Sequence, residues 1–115
     1  MSDADCLFCK ILAHEIPAEI VHESERSIAF RDIAPVAPTH VLVIPKRHEP
    51  NAVALAAASP ESLADLFLVA GKVAASEGLG EDYRMVFNTG AGAQQTVFHA
   101  HLHVLGGRTF EWPPG

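Results

Sequence analysis

Near the end of this 115-residue chain, His99, His101 and His103 alternate with Ala100 and Leu102. A β-strand projects side chains i, i+2 and i+4 from one face, so the spacing predicts three imidazoles in a row, roughly 6.6 Å apart, above a buried apolar side. A helix would scatter the same rings around its circumference. Val97, Phe98, Val104 and Leu105 favour a strand, and Gly106-Gly107 ends it. Imidazoles aligned in this way can bind a metal, activate a nucleophile or carry a phosphoryl group themselves.

The three chemistries make different demands. Hydrolytic zinc takes three protein ligands and an open position, yet the chain has no His-Glu-x-x-His and its last strand has no carboxylate to act as base. Covalent catalysis needs one ring nitrogen aimed at an electrophile and the other held by an acceptor that fixes the tautomer. His101, the middle ring, has a neighbour on each side to support that role. At phosphorus, a histidine nucleophile divides one displacement into phosphorylation and hydrolysis of the enzyme, each helped by donors around the anionic oxygens. Gln95, Thr96 and the backbone amides of Gly90-Ala91-Gly92 are the donors nearest in sequence. Cys6 and Cys9 form a second reactive pair. Their Cys-x-x-Cys spacing suits two soft metal ligands, a redox pair, or two reduced thiols in a core.

Composition narrows the setting for this chemistry. Fourteen carboxylates outweigh eight Lys and Arg, the net charge is -6, and only Lys46-Arg47 brings two cations together, so a nucleic-acid or membrane-surface partner is not expected. Met1 to Asp5 is polar and acidic where a signal peptide would be basic and then apolar, and no stretch reaches the ~18 apolar residues of a membrane span. A cytoplasmic protein is expected, built as a single domain over residues 1–115.

The elements that must position these residues follow from local pattern. Cys6 to His14 reads as a short helix closed by Glu15-Ile16-Pro17. Two short strands follow, Glu19 to His22 and Ser27 to Arg31, joined by a polar hairpin turn. Ala34 to Thr39, with two prolines, is a loop before the apolar strand His40 to Pro45. Ser59-Pro60-Glu61 supplies an N-cap, a first-turn proline and a carboxylate, predicting a helix to about Ser76 with an apolar stripe through Leu63, Leu66, Phe67 and Val73. Gly78 and Gly80 stop it. Tyr83 to Asn88 is the fourth strand, Thr89 to Gln94 a small-residue loop, and Val97 to Leu105 the fifth strand. The fold class is α+β, a five-stranded, mostly antiparallel sheet with one long and one short helix.

His99-Ala-His101-Leu-His103-Val-Leu resembles the His-φ-His-φ-His-φ-φ signature of the histidine-triad (HIT) superfamily, nucleotidyl hydrolases and transferases that work through a covalent nucleotidyl-histidine. Ala37-Pro38-Thr39-His40-Val-Leu-Val-Ile-Pro-Lys46-Arg47-His48, Tyr83 to Asn88, and Gly106-Gly107-Arg108 through Trp112-Pro113-Pro114-Gly115 are similar to the Hint branch, the purine nucleoside phosphoramidases. The likeness runs from about Cys6 to the last residue.

Carried over by position, the resemblance makes His101 the nucleophile at the α-phosphorus of a purine nucleoside 5′-phosphoramidate of AMP or GMP type. His99 and His103 flank the phosphate, and His40 completes the proton network. Gln95 and Thr96 contact phosphate and leaving group, with Thr96 among the catalytic residues. Asn88 stands beside phosphate and ribose, and Asp32 accepts from the ribose hydroxyls. Leu7, Phe8, Phe30 and Ile33 form the purine slot. The resemblance also implies a homodimer joined edge to edge through its sheets, with Trp112 reaching toward the partner's nucleotide site. It implies a structural zinc ion on Cys6, Cys9, His48 and His99, and no cofactor for catalysis. Two positions depart from the pattern: Thr96 stands where the family commonly has serine, and Gln94 where some relatives have glycine. The competing expectations are a dinucleoside polyphosphate hydrolase or nucleotidyltransferase of the same superfamily, and a nucleotide-binding interaction module.

Overall fold

A computed structural model describes residues 4–115. Its helices are α1 (Leu7–Leu12), α2 (Ala52–Ala58) and α3 (Pro60–Ser76), and its strands β1 (Ile20–Glu23), β2 (Ser27–Arg31), β3 (Thr39–Pro45), β4 (Tyr83–Val86) and β5 (Leu102–Gly106). The sheet runs β1-β2-β3-β5-β4, with every neighbouring pair antiparallel. The last strand therefore enters between β3 and β4. That insertion brings the histidine run beside His40.

Strand alternation gives the sheet two different faces. Ala29, Val41, Val43, Leu102 and Val104 point to one side and pack with Leu66, Val69, Ala70 and Val73 of α3 in the larger core. Phe30, Leu42 and His103 are paired across three adjacent strands, and Val86 continues that row on β4. On this second face α1 closes a smaller core, in which Phe8, Cys9 and Ile11 meet Ile28, Phe30, Leu42 and Ile44. The long helix thus covers one side, and α1 and His103 lie on the other.

The α3 boundaries follow the Ser59 cap, whose hydroxyl accepts from Ser62 N–H at 3.3 Å, and Pro60 at the first position. Asp65 on α3 fastens the β1–β2 hairpin: its Oδ2 accepts from Ser24 Oγ at 2.5 Å and from the fully buried Ser27 Oγ at 2.6 Å. At the far end of β5, Gly107 has φ +88, and a Cβ there would lie 2.9 Å from the Pro38 side chain, so this sharp exit suits glycine.

Two elements depart from the sequence expectation. A second short helix, α2, precedes α3; Asn51 Oδ1 caps it by accepting from Ala54 N–H at 2.9 Å, and Leu55 is wholly buried. The chain also joins the ladder at Leu102, five residues later than the predicted start at Val97. Ala100 N–H donates instead to Glu49 O at 2.8 Å, which ties residues before Leu102 to the segment following β3. His99 and His101 are consequently placed by an irregular extended segment, and only His103 by the sheet itself.

Candidate active site

The protonation pattern can be read from backbone partners. Val36 N–H donates to His40 Nδ1 at 3.2 Å, so Nδ1 is bare and the neutral ring carries its proton on Nε2. That Nε2 lies 2.8 Å from His103 Nδ1 and donates to it. His103 therefore carries its own proton on Nε2, the one buried side-chain nitrogen or oxygen among the described residues that lacks a partner. His101 is fixed separately: its Nδ1–H donates to His99 O at 2.8 Å, which leaves Nε2 with a free lone pair.

Burial keeps these rings neutral near pH 7. It pushes His101 below the ordinary imidazole value, and it lowers His40 against the opposing pull of Asp32. His103 falls to about 4, mainly through burial, with His101 and His40 adding in the same direction. A bare nitrogen on His101 and an unpaired N–H on His103 thus stand side by side, ring centroids 5.0 Å apart.

Both rings line a cavity of about 330 Å³, within the usual range for a small-molecule site. Its walls include all four residues of the predicted purine slot, Leu7, Phe8, Phe30 and Ile33, together with Asp32, Asn88 and Thr96. Ile33 is fully exposed, which puts it at the rim. Phe8 meets His101 edge-on at 5.1 Å and Phe30 at 5.5 Å, so α1 forms one wall of the slot. Asp32 Oδ1 accepts from Ala34 N–H at 2.8 Å, and Oδ2 lies 3.4 Å from His40 Nε2.

Two predicted contacts, Gln95 and His99, lie outside the cavity wall. Gln95 is outside the cavity wall and only 3% exposed; its Oε1 accepts from Gly90 N–H at 2.8 Å, while Nε2 donates to Pro50 O at 2.6 Å and Val97 O at 3.0 Å. It therefore holds the loop, and it also occupies the Gly90 amide that an anion-binding nest would have used. Gln94, its neighbour, stands in the wall instead. His99 faces away from the cavity, toward the cysteines.

Around His99 four ligand atoms converge, one each from Cys6, Cys9, His48 and His99, all within 4.8 Å of one another. His99 Nδ1 lies 3.5 Å from each cysteine sulfur and 3.1 Å from His48 Nδ1, which is 3.3 Å from Cys9 Sγ. Tetrahedral zinc with Cys and His ligands sets its donors roughly 3.3–3.8 Å apart, so this set fits the ion. His99 Nε2–H donates to Pro45 O at 2.9 Å, turning the bare Nδ1 toward the cluster and supplying the outer contact that metal-binding imidazoles use. A zinc ion here would be held by these four residues, none of which lines the cavity.

The HIT domain family matches residues 13–110. The chain belongs to the HIT family. It is 53% identical to an uncharacterized HIT-like protein of Synechocystis over 96% of this chain and 97% of the relative. A 14 kDa zinc-binding protein of Zea mays is 47% identical, covering all of this chain and 91% of the relative. Among solved structures, a HIT family hydrolase from Clostridium thermocellum superposes with a TM-score of 0.92 at 44% identity, covering 96% of both chains.

In this HIT chain the C-terminal tail leaves its own cavity. Arg84 and Arg108 lie over the Phe110 ring at 4.9 and 4.3 Å, and Arg84 also donates to Glu111 O, while Trp112 is 82% exposed and absent from the cavity wall. The wall further contains Ile11, Ile16, Pro17, Ala18, Leu42 and Val97, which the sequence reading did not assign. Leu42 could have been found from pleat alternation, since it is paired with Phe30. Ile16, Pro17 and Ala18 depend on how the chain leaves α1, Ile11 lies in that helix, and Val97 lies in the irregular segment before β5.

Proposed function

We propose that this HIT protein hydrolyses purine nucleoside 5′-phosphoramidates, cleaving the P–N bond through a nucleotidyl-histidine. The observation that carries this reading is the pairing of a bare His101 Nε2 with an unpaired His103 N–H in one cavity wall beside an apolar slot. The family match, the name of the Clostridium hydrolase and the high identity across whole chains support a hydrolase of this kind.

In the first step the His101 Nε2 lone pair forms a bond to the α-phosphorus as the P–N bond breaks. The departing nitrogen keeps the electron pair and takes a proton that solvent delivers through the Thr96 hydroxyl in the cavity wall, the equivalent of the proton that water gives up in the second step. His101 is now a cationic ring, and the His99 carbonyl stabilises it through the Nδ1 hydrogen bond. The His103 N–H stabilises charge on the non-bridging oxygens. Water then attacks phosphorus, the N–P bond breaks, and the nucleoside monophosphate leaves with His101 neutral again. Asp32 and Asn88 hold the ribose, and Leu7, Phe8, Phe30 and Ile33 hold the purine.

The zinc ion belongs to this proposal as a structural element on Cys6, Cys9, His48 and His99; the name of the maize relative and the donor geometry support it. So does a homodimer through β4, which is an edge strand carrying the exposed Met85. No described helix is long and apolar enough to cross a membrane, and we place the protein in the cytoplasm.

The test is direct. Purified protein is given an AMP-amine and a diadenosine polyphosphate in parallel, with radiolabelled nucleotide to trap the intermediate. Faster cleavage of the AMP-amine with label on His101 is expected, and label elsewhere would overturn the mechanism. Preference for the polyphosphate would move the protein to the other branch, and binding of AMP without turnover of either substrate would make it a nucleotide-binding module.

A further inference from the structure

Two neighbouring glutamines have divided their roles. The Gln95 carboxamide is spent entirely on the loop, whereas Gln94 is exposed in the cavity wall, and its carboxamide bonds no described residue. Gln94 also has φ +69 and ψ 27, the left-handed conformation that glycine adopts freely and glutamine does not. Among the described residues only His14 shares a positive φ without being glycine, and His14 is not in the wall. The position thus carries a side chain that its backbone disfavours, in the wall of the cavity that His101 and His103 also line. Strain retained at such a place is a pointer to function.

The surroundings indicate what the carboxamide meets. The slot for the base is apolar, while Gln94 shares its loop with Thr96, two residues on, and its wall with Asn88, His101 and His103. Residues 89 to 98 contain no charged side chain, so selection by this loop works through neutral hydrogen bonds. A carboxamide both donates and accepts, and it suits a group that does the same.

We propose that Gln94 is a specificity-determining residue, recognising leaving amines that carry their own hydrogen-bonding group, such as a carboxamide, next to the scissile nitrogen. This rests on the phosphoramidate reading above. It extends that reading from the bond cleaved to the class of amine released.

The experiment compares the full chain with Gln94→Gly and Gln94→Asn on two AMP-amines, one from a plain aliphatic amine and one bearing a carboxamide on the adjacent carbon. Both replacements tolerate a left-handed backbone, and asparagine keeps the chemistry while shortening the reach. Gln94→Gly is expected to lower kcat/KM for the carboxamide substrate by about 2- to 10-fold, the effect of one neutral hydrogen bond, with the plain substrate unchanged and the melting temperature equal or higher. Gln94→Asn should fall between. A raised melting temperature with the two substrates affected equally would show that Gln94 only caps the turn. If the wild type cleaves neither compound, the phosphoramidase reading fails by itself. The dissociation constants of the same two compounds then carry the comparison, and an unmoved ratio overturns the role of Gln94.

Discussion

The His101 ring donates its Nδ1–H to the carbonyl of His99 at 2.8 Å, and the His99 ring is one of four groups placed to hold a metal ion. One residue therefore faces two ways: its side chain toward the cysteines, its backbone toward the His101 ring. The family resemblance implies a structural zinc ion that is dispensable to the chemistry. The shared residue ties the two together.

Cys9→Ser, or removal of zinc by a chelator, should accordingly lower kcat in the fraction that stays folded, by roughly ten-fold through misplacement of His101, and change the affinity for AMP little. Metal content per chain and melting temperature should fall together. Metal analysis that finds no zinc in protein prepared without chelators would remove the cluster from the argument.

Asp32→Ala tests a carboxylate with two claims on it. One oxygen already accepts from Ala34 N–H, so the residue can shape its loop as well as bind ribose. If ribose binding dominates, the variant should weaken AMP by a factor corresponding to about 1.5–3 kcal/mol, with a smaller effect on the 2′,3′-dideoxy analogue. Calorimetric titration of both ligands decides. Equal losses would assign Asp32 to the loop.

Asp65 lies on α3, on the face of the sheet opposite the chemistry. Asp65→Ala leaves the buried Ser27 hydroxyl without its acceptor and should cost about 1–3 kcal/mol of stability, with kcat unchanged in the folded protein. The same carboxylate predicts a pH effect. Burial raises its pKa, but the bonds from Ser24 and Ser27 outweigh this and hold it below its ordinary value of 3.8. Its contribution is present above that value and is lost as pH falls from 3.8 through the lower folded value. Urea midpoints measured between pH 6 and pH 3 should converge for wild type and variant at the acid end.

Deleting residues 112 to 115 should alter relative rates on small and bulky aromatic AMP-amines more than affinity for AMP, because Trp112 lies away from its own chain's cavity. Sedimentation of the truncated protein separates the outcomes. An intact dimer with unchanged relative rates refutes a substrate role, and monomers assign the tail to assembly.

The features legible in the sequence were those written in local chemistry. Ser59-Pro60 marked α3 at its first residue, alternation placed His103 and Leu102 on opposite faces, and the cysteine and histidine positions met as the resemblance implied. Helix α2 escaped because an alanine run offers little periodicity; its signal was the Asn51 cap. The late start of β5 and the inward turn of Gln95 arise from bonds to Glu49 O and Pro50 O, some fifty residues away in the chain. No local pattern encodes these.

The unpaired His103 nitrogen has a consequence for the protein at rest. No described protein group accepts from this N–H, and a monophosphate oxygen that reaches it adds a charged acceptor to the fold. Affinity and fold stability are therefore drawn from the same atom. AMP should raise the melting temperature more than adenosine does at equal fractional occupancy, and His103→Phe, which removes the N–H, should narrow that gap while costing the ligand-free chain stability, because the buried His40 Nε2–H loses its acceptor.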